Sequence, residues 1–277
     1  MKGKKLGVSW SPILPEIWEE IKEVVDSVEF ANLSDLGKIP VLNWTFHYRR
    51  LDSYDMKSES LNLLNPEKIR NSFENIEAFV LKKKPRIISV HLGFPCEKVG
   101  KMPPDDHNYA LSEILPREEV KERILDSLDY LTANLEIPLA IENLDYHPGG
   151  AYEYVCEPDF IREILEKNPR VFLLLDIAHV EISAIELSKE KPENRSAVTR
   201  EYLKDLPLER VIELHLNAPT WENNVGLDMH LPLTRVEETL LKELLNLPNL
   251  EVVNLECGEK IEEQVRRLGN LLKEGER

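Results

Sequence analysis

Glutamine is nearly missing from this chain: Gln264 is the only one in 277 residues, beside abundant Glu and Lys. That composition leans toward a thermophile-like protein. Cysteine is scarce too. Cys96, Cys156 and Cys257 form no CxxC pair and are odd in number, which speaks against a secreted disulfide framework and fits a reducing, cytoplasmic setting. Long apolar runs are absent. None approaches the roughly 18 residues of a membrane span, and the lysines of "MKGKKLGVSW" are followed by no apolar signal core. Basic charge is in deficit: 35 Lys and Arg face 51 Asp and Glu, for a net charge of −16. A protein that grips a phosphate backbone carries a basic footprint, so extensive nucleic-acid contact is not expected, although a local basic groove is compatible with the count. No G-x-G-x-x-G follows a strand, so no dinucleotide-binding turn is expected. No Pro/Gly/Ser-rich linker interrupts the chain, and we read 1–277 as one domain.

What is present is a regular alternation. Hydrophobic residues make up 42% of the chain, enough for a large core. Short apolar runs at 6–10, 28–33, 40–44, 86–92, 138–144, 171–176, 210–216 and 251–257 give eight candidate strands. Amphipathic stretches lie between most of them, such as "LPEIWEEIKEVVDS", "NPEKIRNSFENIEAFVLKK", "PREEVKERILDSLDYLTANL" and "KIEEQVRRLGNLLK". Strand–helix alternation implies a parallel sheet with right-handed crossovers. Eight such units in a chain of this length predict an α/β fold of the (β/α)8 TIM-barrel type, with an open doubly wound sheet as the competing arrangement. The irregular insertions at 93–115, 145–156 and 217–234 each follow a strand, so a barrel would place all three on its C-terminal face.

The strand ends carry the chemistry. His91 ends the fourth run in "SVHLG", Glu142 the fifth in "AIENL", Asp176 the sixth in "LLLDIAH", His215 the seventh in "ELHLN" and Glu256 the eighth in "NLEC". His179 follows Asp176 directly, Asp228 and His230 lie in the insertion after the seventh run, and His47 follows the third in "TFHYRR". In a barrel these ends converge on one mouth. No strand end supplies a Lys or Arg to balance the acids, and buried carboxylates need a partner. Imidazole and carboxylate together are ligands for divalent transition metals such as Zn, Mn or Fe.

Blander readings exist for single residues. A lone strand-end histidine is more often structural than not. His107 and His147, in Pro/Gly/Asp-rich loops, are expected to be solvated. Cys96 and Cys257 read as small hydrophobes. Arg49 and Arg50 fit an anionic substrate and a plain surface equally well. The joint pattern favours metal. One metal on Glu142, Asp176, His215 and Glu256, with the glutamates doubling as acid and base, would suit a sugar isomerase or epimerase. The full set of His47, His91, Glu142, Asp176, His179, His215, Asp228, His230 and Glu256 is enough for two or three metals, which can clamp a phosphodiester or, as iron, activate O₂. An unligated acid, Asp145 or Glu222, is the candidate for proton transfer.

At these residues the chain resembles the xylose isomerase-like TIM-barrel superfamily, in two of its branches. Its ligands follow the order and types of the trinuclear zinc site of the endonuclease IV family. That resemblance implies His47 and His91 on a first metal, Glu142 bridging to a second held by Asp176, His215 and Glu256, and a third on His179, Asp228 and His230. The segments "AIENLDY", "LLLDIAHVEISA", "YLKDLPLERVIELHLNAP", "DMHLPL" and "VVNLEC" are similar to the multinuclear non-haem iron-dependent oxidative enzymes, and "VEFANL" resembles that family's acidic second strand, around Glu29. There, Asn43 stands where the family has its third-strand histidine, with His47 displaced by four residues. This second resemblance implies a metalloenzyme acting on a small-molecule or peptide substrate. A non-catalytic binding barrel is the contrasting expectation.

Overall fold

A computed structural model describes residues 3–41, 43–102 and 107–275. Eight parallel strands close into a barrel in sequential order. They are β1 (Lys5–Ser9), β2 (Ser27–Phe30), β3 (Trp44–His47), β4 (Ile88–His91), β5 (Leu139–Glu142), β6 (Val171–Asp176), β7 (Val211–Leu216) and β8 (Val252–Leu255). Helices on the outside cover them, so each strand is buried on both faces and reads as an apolar run. Register sets the mouth: His91 pairs with Glu142, Asp176 with His215 and Ser9 with Glu29.

Side chains two residues apart on a strand share a face. The residues two and four positions before the mouth residues therefore line the lumen. Ile87, Ala140, Leu174 and Val252 follow that spacing and, with Ile212 at the register irregularity of β7, form an apolar cluster apart from the main core that plugs the lumen at the N-terminal end. Above the plug the lumen turns polar, with Ser89, Thr45, Glu213 and Asn254 all buried.

Two elements differ from the sequence reading. The third strand lies at Trp44–His47 rather than 40–44. Trp44, Phe46 and Tyr48 alternate onto the outer core, Trp44 edge-on to Phe30 and tilted against Phe46, and Phe46 stacked on Tyr48, which turns Thr45 and His47 inward. Pro40 has no N–H to donate to a strand ladder. Leu42 lies outside the described residues. His47 is thus the last residue of a strand. Asn43 is exposed and donates its side-chain amide to the Asp26 carbonyl, which removes it as an alternative at the mouth.

The second difference is a helix that the periodicity does not show, α1 (Ile177–Ser188), which carries His179. It is almost wholly buried, His179, Glu181 and Ser183 included. The barrel covers one face. An antiparallel hairpin (Ala218–Glu222 with Val225–Leu231) covers another. With no solvent face there is no amphipathic period to read. Asn223 and Asn224 take the left-handed conformations of the hairpin turn, at φ 52° and 66°. Gly226 lets the hairpin lie against the helix: a Cβ there would come within 2.9 Å of Ile182. The insertion at 93–115 also forms a hairpin (Val99–Met102 with His107–Ala110), and 145–156 ends in a 3-10 turn at Glu153–Cys156. All three insertions follow β4, β5 or β7, on the mouth side.

Candidate metal centre

The mouth is built outward from β3, β4 and β5. His47 Nδ1 is 2.9 Å from Ser89 Oγ, which turns its Nε2 toward the pocket. There it meets His91 Nε2 at 3.1 Å and Glu142 Oε2 at 3.3 Å; His91 Nε2 is 3.2 Å from the same oxygen. Two imidazole lone pairs and a carboxylate oxygen face one another. A single proton can satisfy only one of these contacts, and Glu142 Oε2 has no hydrogen bond despite being buried. Burial pushes His47 down to about 4, against the pull of Glu142. It is a neutral imidazole, the form that ligates a metal.

Glu142 has a second oxygen, and it faces the other way. Oε1 lies 3.8 Å from His215 Nδ1. The same His215 nitrogen is 3.1 Å from Glu256 Oε2 and 4.0 Å from Asp176 Oδ2, and it too is buried without a hydrogen bond. His215 Nε2 is 2.8 Å from Glu29 Oε2, and Ser9 Oγ donates to Glu29 Oε1 at 2.8 Å. Glu29 therefore orients the His215 ring, the carboxylate–histidine arrangement common behind metal ligands.

Asp176 does two jobs. Its Oδ1 accepts the His179 backbone N–H at 2.9 Å and caps α1, while Oδ2 points into the mouth. Asn143 holds it in place, accepting from the Asp176 N–H at 2.9 Å and donating to its carbonyl at 3.1 Å. The Asn143 carbonyl also receives His179 Nδ1–H at 2.8 Å, so His179 Nε2 faces Asp228 Oδ2 at 3.3 Å. His230 Nε2 reaches the same oxygen at 3.2 Å and Glu256 Oε2 at 3.7 Å. Its backbone sits at φ 47°, an uncommon conformation for a non-glycine residue.

Three ligand sets have atoms within 4.8 Å of one another: His47, His91 and Glu142; Glu142, Asp176 and His215; and Glu29, His215 and Glu256. His179 and His230 join through Asp228. The chain thus brings together all nine residues singled out in the sequence. Among the described residues no Lys or Arg pairs with Glu29, Glu142, Asp176, Asp228 or Glu256. Burial pushes Asp176 up to about 7, with His179 opposing and the neighbouring acids reinforcing. Although burial disfavours the charged ring, Glu256 and Glu29 hold His215 well above the ordinary imidazole range. So much unbalanced charge, with orphaned acceptors pointing inward, fits divalent cations well and fits a structural ion-pair network poorly. Exposure rises outward: the His215 side chain is 0% exposed, His91 25% and His230 44%.

Other candidates fall differently. Asp145 is buried; burial raises its carboxyl, but His179 and His147 hold it below the usual range, and it lies 2.5 Å from His147 Nε2 and 4.0 Å from His179 Nε2. His147 is not solvated as its loop composition suggests. The Pro148–Gly150 turn folds it under, 2% exposed, beside Tyr152. The His107 side chain lies outside the described residues. Glu222 is exposed at the hairpin tip and drops out as a proton donor. Cys96 and Cys257 are buried free thiols that burial shifts upward, in keeping with inert packing. Sequence reasoning undervalues Glu29 and passes over Asn143. Glu29 lies two residues beyond Ser27 on an apolar run, and an acid there is the available signal.

Comparison with known proteins follows the same lines. A family model described as "RiPP precursor modification enzyme MbnB/TglH/ChrH" matches residues 56–269. No curated protein matches the sequence. Among solved structures, endonuclease IV from Thermus thermophilus superposes with a TM-score of 0.56 at 15% identity, covering 98% of this chain and 99% of that one. The 3-keto-D-glucoside 4-epimerase YcjR from E. coli gives 0.54 at 15% identity, covering 99% of each. A xylose isomerase domain protein from Planctomyces limnophilus gives 0.53 at 15%, covering 98% and 95%. At such identities the likeness establishes the fold: a xylose isomerase-like TIM barrel.

Proposed function

The chain belongs to the MbnB/TglH/ChrH family of RiPP precursor modification enzymes, a metal-dependent enzyme family, and we propose that it oxidatively modifies a peptide at an iron centre of two or three metals. The observation that carries this reading is the two-sided placement of Glu142, with Oε2 toward His47 and His91 and Oε1 toward His215. A carboxylate so placed could serve two cations, one from each oxygen. Glu256 Oε2 lies between His215 and His230, and Asp228 Oδ2 meets both His179 and His230, each through a single oxygen. His47 and His91 would hold the first metal, Asp176, His215 and Glu256 the second, and His179, Asp228 and His230 the third.

Bound there, iron would supply Lewis acidity and O₂ activation. The protein residues do the rest. Ser89, Glu29 and the Asn143 carbonyl fix the ring orientation of His47, His215 and His179. The apolar plug and the buried strands keep bulk water from the inner side. The exposed side of His230 leaves the outer position open to a substrate. Asp145, a carboxylate between His147 and His179, would act as a proton acceptor near the outer position. The buried free cysteines support a reducing, cytoplasmic location, and no helix among the described residues is long and apolar enough to cross a membrane.

The test is anaerobic loading with Fe(II), followed by O₂ and short precursor-type peptides. Peptide-dependent O₂ uptake with a matching mass change is expected. Cleavage of a phosphodiester by the zinc-loaded protein, with no O₂ uptake by the iron form, would favour the endonuclease IV-like reading.

A further inference from the structure

Two adjacent arginines follow β3, and the structure separates them. Arg50 is tied down, its guanidinium donating to the Ser58 carbonyl at 3.2 Å and Ser60 Oγ at 3.0 Å. Arg49 is not. It is half-buried and lines the mouth cavity with Trp10, Glu29, His47, His230 and Glu256. Its Nε is buried without an acceptor, and among the described residues its side chain makes no hydrogen bond or ion pair.

That is unusual in a cavity with two carboxylates. Both are engaged elsewhere: Glu29 by Ser9 and His215, Glu256 by His215. A partly desolvated guanidinium with no acceptor is unfavourable until an anion arrives. Its planar fork matches a carboxylate bidentately. Trp10, stacked on Phe30 at 5.6 Å, gives the same cavity an apolar wall. A peptide group packed on that wall would bring its carboxylate to Arg49, with the metal ligands beside it.

Resting on the proposed function, we propose that Arg49 is the carboxylate-binding residue of the substrate site, gripping either a free C-terminus or an acidic side chain of the peptide. It sets which peptides are held rather than the chemistry done to them.

The test is calorimetric binding to the protein as purified with its metal. The probes are N-acetyl-dialanine, its C-terminal amide, N-acetyl-glutamyl-alanine amide and dimethyl phosphate. Wild type should bind one of the carboxylate peptides at least about tenfold tighter than the neutral amide, as a charge-assisted pair requires. The free acid answers to a C-terminus and the glutamyl amide to a side chain. Arg49→Ala should abolish that preference, and Arg49→Lys should keep part of it, with metal content and melting temperature unchanged in both. A preference that survives Arg49→Ala, no preference in wild type, or Arg49-dependent binding of dimethyl phosphate alone would overturn the assignment. Wild type that holds no metal would instead count against the proposed function.

Discussion

Asp176 accepts the backbone N–H of His179 at 2.9 Å, so one carboxylate both closes β6 and starts the helix that follows. Metal site and fold meet in a single side chain, and two substitutions can pull them apart. Asn caps a helix about as well as Asp. Asp176→Asn should keep the apo protein's stability within about 1 kcal/mol while lowering metal content. Asp176→Ala should lose the metal and a further ~1 kcal/mol of capping. Parallel denaturant melts and metal analyses read both. Equal stability of the two variants would mean the cap contributes nothing.

His179 sits on the outer side of the centre, between the Asn143 carbonyl and Asp228. His179→Ala should cost about one metal per chain. The loss of stability should be only on the order of 1 kcal/mol, from the hydrogen bond to Asn143. A loss of several kcal/mol with the metal count intact would make His179 a core histidine.

Glu29 reaches His215 at Nε2, while the other ring nitrogen faces Glu142 and Glu256. Glu29→Gln keeps the shape and removes the charge. Partners of this kind typically contribute about 10- to 100-fold in metal affinity. Competition with a chelator should show that weakening, and unchanged affinity would exclude an orienting role.

The hairpin that supplies Asp228 and His230 rests on α1 through Gly226. Gly226→Val places branched carbons where Ile182 already lies, so the hairpin must lift. We expect loss of the outer metal with retention of the inner two and little change in melting temperature. Retention of all three would show that the hairpin can give way locally.

Arg195 lies within 3.1 Å of both Glu181 and Glu237, two carboxyls that are wholly buried, and stacks 5.1 Å from the Trp221 ring of the hairpin. Burial pushes Glu181 up to about 9, with Glu237 reinforcing it and Arg195 opposing. Arg195→Met leaves buried acid without its cation, which typically costs about 3–5 kcal/mol. Denaturant unfolding should show it. A loss below about 1 kcal/mol would mean that water reaches these acids.

Most of the centre is legible in the sequence because a barrel strand writes its end plainly. An apolar run stops, and the residue there must face the mouth; His91, Glu142, Asp176 and His215 are found that way. Other features are hidden for physical reasons. A helix covered on every side has no period, so the one carrying His179 does not show. The third strand is displaced from its sequence reading because 40–44 is apolar, while the alternation of Trp44, Phe46 and Tyr48 is what builds a strand. His147 is misjudged because loop composition says nothing about which way a loop folds back. Asn143 acts through its side-chain amide on the Asp176 backbone and through its own carbonyl on His179, contacts that no residue pattern reveals.

The central claim is that the acids and histidines of the mouth hold several metals at once. Elemental analysis of protein purified without added metal or chelator, in moles of each metal per chain, tests it most directly. Two or three equivalents of transition metal, chiefly iron, are expected. One equivalent of manganese would point to an isomerase-like site, and two or three of zinc to phosphoester chemistry. None, even after anaerobic reconstitution, would contradict the account: Glu142 would then bridge nothing, and its two-sided placement would need another cause.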